Sequence, residues 1–147
     1  MITPITSNKL VDASFYGSAL ALSGRLLMAT IFIISGVGKV TNPGATAAFI
    51  AAAGLPLPQV ALLIAIVIEI AGGIALVLGY RTRLVAGALA IFCLVTAVSF
   101  HRNFIDQNQF IHFFKNLTMA GGFLQILAYG PGFLSVDAKL AQTRGAT

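Results

Sequence analysis

Long apolar runs separated by short polar segments set the pattern of this chain. The runs cover residues 18–38, 58–78, 84–100 and 110–129. Each comes close to the ~20 apolar residues that a helix needs to cross the hydrocarbon core of a bilayer. A shorter apolar stretch, residues 43–53, lies between the first and second runs. It opens on Thr41-Asn42-Pro43, a capping side chain followed by proline at the first helical position. It closes on Gly54, and Pro56 and Pro58 prevent an immediate return to helix. A helix of ~10 residues is too short to span, so this one is placed at the membrane surface or between span ends. The pattern predicts an all-α integral membrane protein. Its body, residues 18–132, is an antiparallel four-helix bundle with a short extra helix between spans one and two. Residues 1–17 and 133–147 read as polar tails, the first one flexible or a short surface helix.

Composition supports the membrane reading. The chain has 147 residues, 58% hydrophobic and 9% charged, with a mean hydropathy of +0.94. A soluble domain carries about 25% charge, and so few charges do not cover a water-facing surface. The net charge of +5 sits mainly in loops and tails, without a basic cluster interleaved with aromatics, which argues against nucleic acid. The Ala-x-Ala motif at Ala19–Ala21 precedes the first apolar run instead of following it, so that run is read as a permanent helix. With four spans both termini share one side. That side holds Lys9, Arg81, Arg83, Lys139 and Arg144, against Lys39, Arg102 and Lys115 on the other. The positive-inside rule then predicts cytoplasmic termini.

The second run carries an acid near its middle. Glu69 is the only glutamate of the chain. A carboxylate at that depth costs several kcal/mol unless it is paired, protonated or wetted. Counting ~1.5 Å per residue places Arg25 roughly 6 Å to the terminal side of the midplane and Lys115 roughly 7 Å to the other. Both side chains are long enough to be aimed at Glu69, which predicts an acid between two bases. On span one, Arg25, Phe32, Ser35, Gly36 and Lys39 fall on one stripe. On span four, His112, Lys115, Asn116 and Met119 share a face. Gly72, Gly73, Gly121 and Gly122 are the residues expected to let helix backbones approach. Two readings of the charges stay open: an ion-pair network that fixes helix register, or a polar pocket that binds a small ligand or quinone head group, or relays protons.

Other chemistry finds little support. Cys93 is the single cysteine, which excludes a C-x-x-C site and reads as a buried small hydrophobe. His101, Asp106 and His112 are metal-ligating types but lack a tight ligand spacing, so no metal is assigned. No nucleophile elbow, P-loop or dinucleotide fingerprint occurs. No inverted repeat points to a transporter, which ranks last.

The order of several segments resembles a known family. These are Gly24–Lys39 (GRLLMATIFIISGVGK), Asn42-Pro43, Gly54–Pro58 (GLPLP), Glu69–Arg83 (EIAGGIALVLGYRTR), Lys115–Gly122 (KNLTMAGG) and Gly130–Asp137 (GPGFLSVD). The chain resembles the DoxX family of small four-helix bacterial membrane proteins from Gly24 to Asp137. The resemblance implies a multi-pass inner-membrane protein, an oxidoreductase-type or quinone-linked subunit. It implies a ligand site carried by Arg25, Lys39, Glu69, Lys115 and Asn116, with Glu69 as the catalytic candidate. It implies a quinone as the cofactor to look for and a soluble or membrane oxidoreductase, or a second copy, as partner besides the lipid bilayer. Relatives in the wider group that use cysteine pairs differ from this chain, which has only Cys93. The alternative is a non-enzymatic accessory or scaffold subunit of a larger complex.

Overall fold

No proline interrupts the chain between Pro4 and Pro43, and the first helix runs uninterrupted through most of that interval. The computed structural model describes residues 7–145, with side chains from residue 15 onward. Helix α1 is Ser7–Thr41, α2 is Pro43–Ala52, α3 is Pro58–Leu78, α4 is Thr82–Phe100, α5 is Gln107–Tyr129 and α6 is Val136–Gly145. The described residues contain no strand.

Both segments read as polar tails contain helix. Residues 7–17 continue into α1, because nothing in them stops a helix that the apolar span beyond has already nucleated. The C-terminal segment is likewise a helix over Val136–Gly145. Residues 1–6, 146 and 147, and the side chain of Lys9, lie outside the described residues.

Among the described residues, three helices are long and apolar enough to cross a membrane: Phe15–Thr41 of α1, Pro58–Leu78 and Thr82–Phe100. The sequence pattern counts a fourth span over 110–129. Helix α5 has the length, 23 residues, but its first half carries Gln107, Asn108, Gln109, His112, Lys115 and Asn116. That polarity sets it apart from the other three.

The helices associate mainly as two pairs, α1 with α3 and α4 with α5, and α3 joins the pairs by packing on α4. Lipid tails supply no hydrophobic drive between helices, so close backbone approach must. Gly36 of α1 lies against Glu69 and Ile70 of α3, where an added Cβ would meet the Ile70 Cγ1 at 2.6 Å. Gly73 of α3 lies against Ile33 of α1 in the same way, at 2.7 Å. Gly72 faces Leu89 and Gly122 faces Met28, whereas Gly121 faces open space and does not serve packing as expected. The core is built on Phe32, Leu76, Leu89, Cys93 and Phe123 with alanines between them. Phe32 sits edge-on to Phe123, ring centres 5.3 Å apart, which ties α1 to α5. Leucine, isoleucine and valine side chains such as Leu63, Val67, Ile91 and Val98 point outward and are more than half exposed, as lipid-facing residues should be.

Helix α3 stops at Gly79, which takes φ +67°. A Cβ there would collide with the Arg25 guanidinium and with Ser135. Both the left-handed backbone and the crowding demand glycine at this turn.

Candidate functional site

Glu69 sits in the middle of α3, with its side chain 6% exposed, and meets one base. Lys39 Nζ lies 2.8 Å from Glu69 Oε2 and donates to Oε1 at 2.9 Å. The Ser35 hydroxyl donates to Oε1 at 3.2 Å, and Lys39 also donates to the Ser35 oxygen at 2.8 Å. Glu69 Oε2 is within ion-pair distance of the ammonium yet accepts no hydrogen bond. A helical side chain leans toward its own N-terminus. Lys39, one turn beyond Ser35 near the end of α1, therefore delivers its ammonium a turn deeper, at the level of Ser35 and Glu69. Its side chain stays 22% exposed, so the node borders the surroundings on the lysine side.

Arg25 does not reach Glu69. It leans toward the N-terminus of α1 and so away from the midplane. Its guanidinium donates to the Leu76 carbonyl at 3.1 Å and the Val77 carbonyl at 3.2 Å. These belong to the last turn of α3, whose carbonyls have no partner within the helix. A further bond goes to the Leu134 carbonyl. The residue is 1% exposed and its Nε has no partner. Leu76 lies seven residues beyond Glu69, about 10 Å along α3.

Asp137 completes this end of the molecule. Its carboxylate accepts from the Arg81 and Thr82 amides and from the Thr82 hydroxyl, each at 2.8 Å. Helix α4 has no capping side chain of its own, and Arg81 at its start takes φ +45°. Asp137 is therefore an N-cap supplied from a segment 55 residues away. Burial pushes its carboxyl up, but the bonds from Thr82 and Arg81 and the nearby Arg25 charge outweigh that and hold it below the usual carboxylate range. Sequence spacing carries no sign of this role, because caps are read locally and this one is not.

Lys115 is also turned away from Glu69. It leans toward the N-terminus of α5 and donates to His112 Nδ1 at 2.8 Å. Asn116 is buried and donates to the His112 carbonyl at 2.9 Å. His101 and His112 stack with ring centres 5.0 Å apart, and His101 Nδ1 lies 2.7 Å from Gln109 Oε1. Asp106 is turned to its own helix and accepts from the Asn108 and Gln109 amides. The described residues contain no group of three or more metal-ligating side chains. The predicted acid between Arg25 and Lys115 is thus replaced by three separate polar sites. Of the predicted ligand residues, only Lys39 and Glu69 meet.

The chain has relatives among known proteins. The DoxX family model matches residues 20–102, a stretch that contains Ser35, Lys39 and Glu69 but not Lys115 or Asn116. Inner membrane protein YqjF of Escherichia coli (strain K12) is 42% identical over 122 residues, covering 81% of this chain and 90% of that protein. Inner membrane protein YphA of the same organism is 36% identical over 126 residues, covering 82% and 89%. No solved structure gives a significant match. With apolar helices long enough to span, a family match over more than half its length and two relatives aligned over more than four-fifths of it, the chain belongs to the DoxX family of membrane proteins.

Proposed function

We propose that this protein is a four-span inner-membrane subunit associated with an oxidoreductase, and that it binds a quinone head group at the Ser35–Lys39–Glu69 node. The observation that carries the reading is a mid-helix carboxylate in an apolar span, paired with a lysine that keeps partial exposure. The donor set fits the group. Lys39 and Ser35 are donors suited to a quinone carbonyl, and Glu69 Oε2, which faces the Lys39 ammonium at 2.8 Å but accepts no hydrogen bond, is an acceptor suited to a quinol hydroxyl. A bound quinone would supply the redox chemistry, with electrons exchanged with the partner oxidoreductase. His112, Lys115 and Asn116 belong to the polar first half of α5, and His101, stacked on His112, caps the end of α4.

The fourth span in this reading is α5. It lies along α4, buries Ala120 and Phe123 in the shared core, and at 23 residues reaches about 34 Å. Both termini are assigned to the cytoplasm, where Arg81, Arg83, Lys139 and Arg144 meet the positive-inside rule.

A second reading is favoured by one observation: Lys39 already engages Ser35 and both oxygens of Glu69, so the node is occupied by its own members. In that case it pins the register of α1 against α3 in an accessory subunit. One experiment separates the two. The protein is purified from its native membrane in mild detergent, and extracted quinone is quantified per mole of chain, alongside Glu69→Gln and Lys39→Met. The quinone reading expects near-stoichiometric quinone in the native protein and its loss in variants that still fold. No quinone in the native protein overturns it. Variants that lose stability with no bound ligand to lose support the register reading.

A further inference from the structure

A cavity of about 550 Å³ opens at the end of the molecule that carries α6, away from the Glu69 node. It lies between the α3–α4 turn, the Pro131 turn and α6. Its charged lining is three arginines, Arg81, Arg83 and Arg144, against the single acid Asp137. That acid is already engaged by the Arg81 and Thr82 amides and the Thr82 hydroxyl. Among the described residues, the Arg81 and Arg83 guanidinium groups make no hydrogen bond or ion pair. Arg83 lies across the Gly130 turn, its Nε and Nη2 within 3.5 Å of where a Cβ would stand.

The apolar part of the lining identifies the other half of the ligand. Tyr80 and Leu84 border the cavity, 45% and 68% exposed, one in the turn that follows α3 and the other in the first turn of α4. Both helices are membrane spans by length and composition, so the cavity lies where the apolar surface meets water. Guanidinium groups above and an exposed leucine on a lipid-facing helix below match a molecule with a phosphate at one end and an acyl chain at the other.

We propose that this cavity is a binding site for the phosphate head group of an anionic phospholipid, with Arg81 and Arg83 gripping the phosphate and an acyl chain running down α4 past Leu84. A free phosphate shares the guanidinium chemistry but has no use for the apolar edge.

The test is lipid retention by native mass spectrometry. The full chain is reconstituted in vesicles of phosphatidylcholine mixed equally with phosphatidylglycerol, then extracted in mild detergent. The native protein is expected to retain phosphatidylglycerol over phosphatidylcholine. Arg81→Gln/Arg83→Gln should reduce that preference about twenty-five-fold, at roughly five-fold for each arginine near an anionic surface. Both residues are exposed, Arg81 just before α4 and Arg83 in its first turn, and circular dichroism confirms folding of the variant. Arg102→Gln, which removes a charge from the opposite end, should leave retention unchanged. Equal retention of both lipids, or an unchanged preference in the double variant, overturns the proposal. So does a loss of preference in Arg102→Gln equal to that of the double variant, or displacement of the lipid by millimolar inorganic phosphate alone.

Discussion

Replacing Asp137 with alanine should loosen the start of α4 although no residue of α4 is changed. The carboxylate holds three donors, each at 2.8 Å. The Arg81 amide lies on an exposed turn and can turn to water. Thr82 is 0% exposed, and its amide and hydroxyl would be left inside without a partner. At roughly 1–3 kcal/mol for each orphaned buried group, with water entering the vacated space, the loss comes to about 3 kcal/mol. Cys93 provides the assay. It is the single cysteine, it lies in α4, and it is 1% exposed, so a fluorogenic maleimide reports its exposure on heating. At about 2–4 °C per kcal/mol for a chain of this size, labelling should begin about 6–12 °C lower in Asp137→Ala. Labelling within about 2 °C of the native protein would refute the cap supplied from α6. Acid should act in the same direction. A carboxyl held below its unfolded value of about 3.9 contributes fully above that pH and loses its contribution as the pH falls through the lower folded value. Circular dichroism melts between about pH 5 and pH 3 should therefore fall more steeply for the native protein than for Asp137→Ala.

Two further predictions concern the α1–α3 pair. Lys39→Met or Glu69→Gln alone leaves a buried partner uncompensated and should destabilise by about 3 kcal/mol, the lower part of the range because Lys39 keeps some exposure. The double variant should recover part of that loss, and a double variant as unstable as the sum of the singles would contradict a direct pair. Gly36→Ala should lower the Cys93 labelling temperature because its Cβ would overlap Ile70, whereas Gly38→Ala meets nothing within 4 Å and should raise stability by up to about 1 kcal/mol.

Much of the architecture is local and therefore legible in the residues. Pro58 opens α3 and Gly79 ends it, and Asn42-Pro43 and Gly54 bracket α2. A span announces itself through composition because the bilayer demands apolar length. The stripe of Arg25, Phe32, Ser35, Gly36 and Lys39 does face the bundle, since 3.6-residue spacing is all that a face requires. What spacing and depth left open was the partner of each charge. Depth aimed Arg25 and Lys115 at Glu69; the lean of helical side chains toward their own N-termini carries both away and brings Lys39 down in their place. The antiparallel pairing of α1 and α3 converts that lean into an ion pair at one end and a carbonyl clamp at the other. Asp137 lay wholly beyond local reading, because its donors stand on a turn 55 residues earlier in the chain and meet it only after α6 folds back. Residue order is enough to show apolar helices with one costly acid; that Lys39 answers it follows from the packing of α1 against α3.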